Sequence, residues 1–415
     1  MVNKKIFGAL AILLLYQCFV APSSSLAATI SLTLEQSIQR ALQSNPAVEQ
    51  AKLDVDVNKW GLTAAKAVRV PAVTWSTTWE GSLKSGTWNT ENNGSPTSVQ
   101  IDSVHLFPMI TTDGKIDMAK NNLEIAKSFY GTAREDIVYD ATKAYFNVLA
   151  AQDMERIARE QVANLQEHLN LVTAQYETGV IPRVDVLRSQ VELANSQQVL
   201  IKSSNVYKIA QTALATILQY QGQELKLLDA FSYAPYEMTL DRALETSLAQ
   251  RKDLKRADLE IKNSELNVKV AEAAWLPTVS GRVRVGNDED TVIPYGRNWG
   301  VGVSVSWPIF DNGMIRSSVE QSRIQSHQSK LSAKQVADSA YQAVTADYLN
   351  MREAEKRLES TAMTVKMATE DAYIAREKYR VGRGINIEVF DAQVALTQAQ
   401  VNQLQALYDY NVNKA

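Results

Sequence analysis

The sequence predicts a mainly α fold with a small β part, built from long antiparallel helical hairpins and an internal two-fold repeat. Three observations predict it. Residues 112–177 and 312–380 contain no proline and are rich in Ala, Gln, Ser and Leu; two pairs of short segments alternate apolar and polar residues; and motifs recur in one order about 200 residues apart. Gly and Pro are few, with 17 and 10 in 415 residues, which suits long helices better than a compact mixed domain.

The first residues read as an export signal. Lys4 and Lys5 precede an apolar run over 6–20, and the small residues Ser25-Leu26-Ala27 follow, so a signal peptide over 1–27 is expected. The only cysteine, Cys18, lies within that segment, and Tyr16 and Gln17 before it argue against lipid attachment there. The exported chain is then expected to hold no thiol, which excludes disulfides and cysteine-ligated metals. Past the signal no stretch approaches the roughly 18 apolar residues of a membrane-spanning helix, so any crossing has to be by strands. A net charge of −3 with mixed signs gives no basic patch for nucleic acid.

The repeat sets the architecture. LTLEQSIQRAL at 32–42 aligns with MTLDRALETSL at 238–248, Pro71 falls on Pro277, LFPMITTDG at 106–114 on SWPIFDNG, and YETG at 176–179 on YRVG at 379–382. Two structural repeats follow, 28–230 and 231–415. In each the expected order is a short helix, a medium helix, a strand hairpin, a very long helix, a glycine turn and a last helix. The long helix spans on the order of 100 Å at 1.5 Å per residue. Helices over 46–70 and 251–276, stacked end to end with 183–219 and 386–412, match that length, leaving 29–45 and 220–250 as a belt at mid-height.

Heptads show how the helices pack. Val186, Leu193, Leu200, Tyr207 and Leu214 recur every seven residues, with small Ser189, Ser196, Ser203 and Ala210 between them. After the second turn two seams lie side by side, one through Phe390, Val394 and Val401, the other through Val389, Ala392, Ala399 and Ala406. Two seams give a helix a neighbour on both sides, the geometry of a curved wall.

The strands are expected over about 72–81, 98–108, 277–287 and 297–308. In WGVGVSVSW, Trp299, Val301, Val303, Val305 and Trp307 share one face and Gly or Ser the other, an apolar band between interface aromatics as in an outer-membrane barrel strand. VQIDSVHLF breaks the alternation at Ser103 and His105, so a bulge or a local change of exposure is expected there. The links 82–97 and 287–296 read as exposed tips. Four strands do not close a barrel and lipid tolerates no open edge, so several chains have to share one. Two chains give eight strands and a filled interior; three give twelve and room for a channel.

No enzyme is expected. His105, His168 and His327 are scattered, and HExxH, phosphate-loop and nucleophile-elbow motifs are missing, so neither metal nor cofactor is implied. Each histidine reads as a surface or packing residue.

In their duplicated order, the TL(E/D) starts, the proline-led strands, SWPIFDNG, and the two Tyr-x-x-Gly turns followed by DVL and EVF resemble the TolC-type outer-membrane efflux proteins over nearly the whole exported chain. The resemblance implies a homotrimer with a shared 12-stranded β-barrel in the outer membrane, touching lipid, and a trimeric α-barrel through the periplasm. Its partners would be a periplasmic adaptor protein and an inner-membrane transporter of RND, ABC or MFS type. Gly179 and Gly382 become the adaptor-docking tips, Glu388 and Asp391 the periplasmic gate carboxylates, and Asp185 with Tyr379 a hydrogen-bonded gate latch. Six gate carboxylates around one pore would raise each other's pKa and favour cations.

Two features depart from the family. Gly384 stands where better-known members carry an Arg of a second latch link, and adjacent Arg383 points elsewhere, so the closed state is held differently or more loosely. YDYNVNKA stops where many members continue, so a thinner belt is expected on that side. The implied function is a passive exit duct for small molecules. The alternatives are the outer-membrane component of type I protein secretion and, in a different class, a periplasmic coiled-coil stalk without a pore, which leaves the Trp299–Trp307 strand unexplained.

Overall fold

The computed structural model describes residues 30–77, 82–84, 87–89, 97–107, 109–223, 225–286 and 298–415. The expected signal peptide with Cys18, the link 287–296 and parts of the link 82–97 lie outside the described residues. The first half runs β1 (Ile30–Leu32), α1 (Leu34–Ser44), α2 (Pro46–Ala67), β2 (Val73–Thr77), β3 (Ser82–Lys84), β4 (Thr87–Asn89), β5 (Thr97–Phe107), α3 (Met109–Glu177) and α4 (Arg183–Leu218). The second runs β6 (Leu225–Leu227), α5 (Leu240–Gln250), α6 (Lys252–Glu272), β7 (Thr278–Gly286), β8 (Asn298–Ser306), α7 (Met314–Arg380) and α8 (Asn386–Lys414). The long helices α3 and α7 hold 69 and 67 residues. One difference from expectation is the link 82–97, where β3 and β4 pair as a small hairpin.

Local chemistry sets the helix ends. Asn45 caps α2 by accepting the Ala47 N–H at 2.9 Å, with Pro46 in the first turn, where its missing donor costs nothing. In SWPIFDNG the Asp311 carboxylate accepts the N–H groups of Gly313 (3.0 Å) and Ile315 (2.6 Å), and Asn312 and Gly313 turn the chain through positive φ. That motif is thus a strand exit and a helix cap at once.

The chain forms two compact units that cut across the sequence repeats: residues up to Ala41 with Ala141–Ser232 and Thr364–Gln405, and Leu42–Asp140 with Tyr233–Met363 and Ala406–Ala415. In the first, β1 and β6 pair in parallel, Ile30 opposite Leu225, a pairing that three-residue strands do not announce in sequence. Fully buried Tyr145 of α3 donates its hydroxyl to Asp229 Oδ2 at 2.9 Å, and the same oxygen accepts the Leu34 N–H at 2.7 Å, tying the start of α1 to the segment after β6. Along α4 the expected seam is buried at Ser189, Leu193, Ser196, Ala210 and Leu214.

The second unit holds an antiparallel sheet in the order β2-β5-β7-β8. Its central pairing joins the strand hairpins of the two repeats. The β5–β7 ladder shifts register between Ile101 and Val104 and again between His105 and Phe107, so the interruption expected at Ser103 and His105 is a bulged ladder. Elsewhere in this unit Met351, Ala354 and Tyr410 form a core, and the Tyr410 hydroxyl donates to Ala234 O at 2.7 Å. Arg357 bridges α7 to Asp409 of α8 at 2.7 Å.

Candidate functional site at the hairpin tips

Both Tyr-x-x-Gly motifs are one kind of helix terminus. At the end of α3, Gly179 N donates to Tyr176 O (2.9 Å) and Val180 N to Gln175 O (3.0 Å); at the end of α7, Gly382 N donates to Tyr379 O (3.0 Å) and Arg383 N to Lys378 O (2.8 Å). These are Schellman caps, which use carbonyls the helix leaves without partners and place the glycine in the left-handed region. Gly179 has φ +77 and Gly382 φ +74, and no atom within 4 Å would meet an added Cβ, so backbone conformation alone requires glycine. The tyrosine carbonyl is thus part of each cap, and the glycine three residues on supplies its left-handed position.

Gly384 is glycine for a different reason. A Cβ there would lie 3.1 Å from Tyr379 N and 3.2 Å from Lys378 Cβ, because the turn folds back on the last turn of α7. An arginine at this place needs a turn shifted outward.

Behind the turns lies a small mixed core. Val172, Tyr379 and Val389 are buried together, with Leu171, Ile181 and Val186 against them. His168 of α3 packs its ring 4.9 Å from that of Tyr379 and edge-on to Phe390 at 5.4 Å. Its Nε2 lies 2.6 Å from Asn386 Oδ1. The Asn386 amide nitrogen donates to Asp185 O (3.2 Å) and approaches Ser189 Oγ (3.4 Å). Asn386, the first residue of α8, is thereby held by α3 and α4. His168 and Asn386 are 218 positions apart, so no local pattern announces this anchor; the small Ser189 on the α4 seam is its one trace in the sequence.

The expected site residues fall as follows. Glu388 and Asp391 are exposed, in the first two turns of α8, two and five residues beyond Asn386. Asp185 is half-buried in the first turn of α4, where its N–H donates to Pro182 O. Tyr379 is buried, and its hydroxyl has no hydrogen-bond partner among the described residues, so the Asp185–Tyr379 bond is not formed in this conformation. Burial first and the Asp185 charge second push the Tyr379 pKa up. Away from the tips, exposed Trp307 donates its indole N–H to Trp275 O at 3.1 Å. Trp299 pairs with Val285 in the ladder, and its side chain lies outside the described residues. Among the described residues no cluster of His, Cys, Asp and Glu could hold a metal.

A mostly helical chain of long hairpins with a four-stranded sheet defines the class, and comparison with known proteins supplies the family. The sequence matches the outer membrane efflux protein family over residues 37–218 and 243–415, and the chain belongs to that family. It is 22 % identical to the outer membrane efflux protein BepC of Brucella suis over 397 residues, covering 92 % of this chain and 83 % of BepC. With the outer membrane protein TolC of Vibrio cholerae it shares 24 % identity over 311 residues, 71 % of this chain and 69 % of TolC. Its fold resembles the Campylobacter jejuni CmeC outer membrane channel (TM-score 0.80, 16 % identity, 92 % and 84 % of the two chains). It also resembles the open state of the Neisseria gonorrhoeae MtrE outer membrane channel (TM-score 0.75, 17 % identity, 92 % and 86 %). The protein is therefore an outer membrane efflux protein, and its family is not an enzyme family.

Proposed function

We propose that three copies of this chain form a passive exit duct, each lending four strands to one twelve-stranded barrel and its helices to one periplasmic tunnel. The observation that carries this reading is the sheet. Register places Val279 and Val283 of β7 beside Val305 and Val301 of β8, on one face with Val73 and Trp75 of β2. Val73, Trp75, Val301, Val303 and Val305 are strongly exposed, whereas Arg282 and Ser280 pair with Gly302 and Ser304 on the other face. An apolar outer face, a polar inner face and one-sided pairing of β2 and β8 suit a barrel closed by other copies. Three copies leave an aqueous lumen where two do not. On α8, Val394, on the seam that starts at buried Phe390, is exposed, while Val389, Ala392 and Ala399 of the other seam are buried, as suits a helix awaiting another neighbour.

At the tips, Glu388 and Asp391 form the cation-selective gate, Asp185 and Tyr379 the latch that closes when the tyrosine hydroxyl turns onto the carboxylate, and Gly179 and Gly382 the surface for a periplasmic adaptor. An inner-membrane pump of RND, ABC or MFS type supplies the energy; that the relative TtgC is named an efflux pump outer membrane protein supports a pump partner. Adaptor binding opens the tip only through a higher affinity for the open arrangement. The native mass of protein extracted from outer membrane in detergent tests the assembly: a trimer is expected, and a monomer soluble without detergent overturns it. In planar bilayers, Glu388→Gln with Asp391→Asn should weaken cation selectivity, and Asp185→Ala should raise conductance; unchanged values reject the gate and the latch respectively.

A further inference from the structure

We infer that Asn386 is the positioning residue that pins the gate helix α8 to the first helical hairpin, and that acid releases this pin through His168. The inference rests on the reading of Glu388 and Asp391 as the gate.

The hydrogen-bond network fixes the proton on His168. Asp185 O can only accept, so the Asn386 amide nitrogen must face it, and the amide oxygen must face His168. Nε2 therefore carries the hydrogen, and Nδ1 is a bare acceptor, buried and without a partner among the described residues. Ser189 donates its own hydroxyl to Asp185 O at 2.8 Å, which leaves its oxygen free to face the Asn386 amide. One amide thus joins three helices at the first residue of α8.

Adding a proton to His168 creates a second N–H at Nδ1, buried and with no acceptor among the described residues. The charged groups near the ring do not rescue the cation. Arg376 of α7 opposes it, and Glu167 of α3, which lies 3.9 Å from Arg376, is largely exposed. From α4, the Asp185 carbonyl accepts from the Asn386 amide, and its carboxylate acts on Tyr379; from α7, Tyr379 presents an unionised ring; on α8 the packed groups are Asn386 and Phe390, and Glu388 and Asp391 are exposed. Burial first, with Arg376 adding to it and the Asn386 bond opposing, lowers the His168 pKa below 6.5. A base with a lowered pKa binds fewer protons in the packed state than in a released one. The packed state keeps its full advantage above pH 6.5 and loses it progressively as pH falls from there through the lowered value. Released, α8 carries Glu388 and Asp391 with it.

Two measurements on the detergent-extracted protein test this. Single-channel recordings at pH 7.5 and 5.5 follow dwell times, and amide hydrogen exchange over 386–393, corrected for intrinsic rates, follows the pin. In the wild type, acid should shorten dwell times and lower protection several-fold, reversibly. His168→Gln keeps a donor toward Asn386 and should remove both responses, so that its dwell times and its protection agree between pH 7.5 and 5.5. Asn386→Ala removes the pin itself, so protection over 386–393 should already be low at pH 7.5 and change little at pH 5.5, which serves should the first variant not fold. The acid response should persist with Glu388→Gln and Asp391→Asn combined. An acid response retained in His168→Gln, or no response in the wild type, overturns the inference. Lost protection with unchanged dwell times would instead show that α8 is unpinned but that its carboxylates are not the gate.

Discussion

Tyr176 and Tyr379 hold the same position in two copies of one helix cap, yet Tyr176 is 41 % exposed and Tyr379 only 4 %. Both carbonyls serve the cap, so the backbone does not distinguish them. What distinguishes them is the partner: the Tyr379 ring fills the space between Val172, Val389 and His168. Tyr379→Ala should cost about 3–5 kcal/mol through the cavity it leaves, and Tyr176→Ala well under about 1 kcal/mol. Tyr379→Phe removes a hydroxyl that has no partner in this conformation, so it should leave the thermal midpoint unchanged or higher. If Tyr379→Phe also raises single-channel conductance, the hydroxyl acts in gating and not in packing; a lowered midpoint would mean that it is bonded after all.

The glycines of the turns separate conformational strain from crowding. Gly179→Ala and Gly382→Ala meet no atom but hold φ near +75, so each should cost roughly 1–2 kcal/mol, less for Asn than for Ala. Gly384→Ala meets backbone 3.1 Å away and should instead disturb the end of α7. Thermal unfolding, with hydrogen exchange at Lys378 to Arg380, resolves the two effects. Equal costs for Ala and Asn at Gly382 would contradict a left-handed requirement.

The large features were legible because periodicity and turn chemistry are local. Proline-free stretches gave the long helices to within a few residues, the Tyr-x-x-Gly spacing marked both turns, and broken alternation at Ser103 and His105 marked the bulged ladder. Contacts made by single polar groups from distant segments leave no such period. Asn386, His168 and Ser189 lie on three helices, and each alone resembles an ordinary seam or surface residue. The β1–β6 pair is three residues on each side, too short for alternation to show. The link 82–97 was rich enough in turn residues to hide a hairpin whose strands are three residues each.

Acid should also loosen a second place. Tyr233 donates to Glu355 at 2.6 Å, and Arg352 reaches the other carboxylate oxygen at 2.7 Å. The tyrosine bond first and the arginine bond second hold the Glu355 pKa below 4.5. A lowered carboxylate pKa contributes stability that is complete above 4.5 and lost as pH falls through the folded value. Melting midpoints between pH 6 and pH 3 should therefore fall more in the wild type than in Glu355→Gln, taking about 4.5 as the unfolded value. Parallel curves would show that the cluster does not sense pH. The His168 effect sets in below 6.5 and the Glu355 effect below 4.5, so the two begin at different points of one titration.

The membrane reading makes adjacent residues of one strand behave oppositely. Val303 points to the face that carries Val301 and Val305, is 69 % exposed, and sits opposite Gly281. Ser304 points to the face that carries Gly302, opposite Ser280. If lipid covers the first face, Val303→Arg places a charge near mid-bilayer at about 2–4 kcal/mol, whereas Ser304→Arg adds one to a lumen already lined by Arg282. Val303→Arg should cut the yield of trimer in outer membrane severalfold; Ser304→Arg should assemble and shift ion selectivity. In a water-soluble sheet Val303→Arg would cost little, since the valine is already exposed and a charge there would meet water. Equal yields from the two variants would place both faces in water and leave the exposed valines to some surface other than lipid.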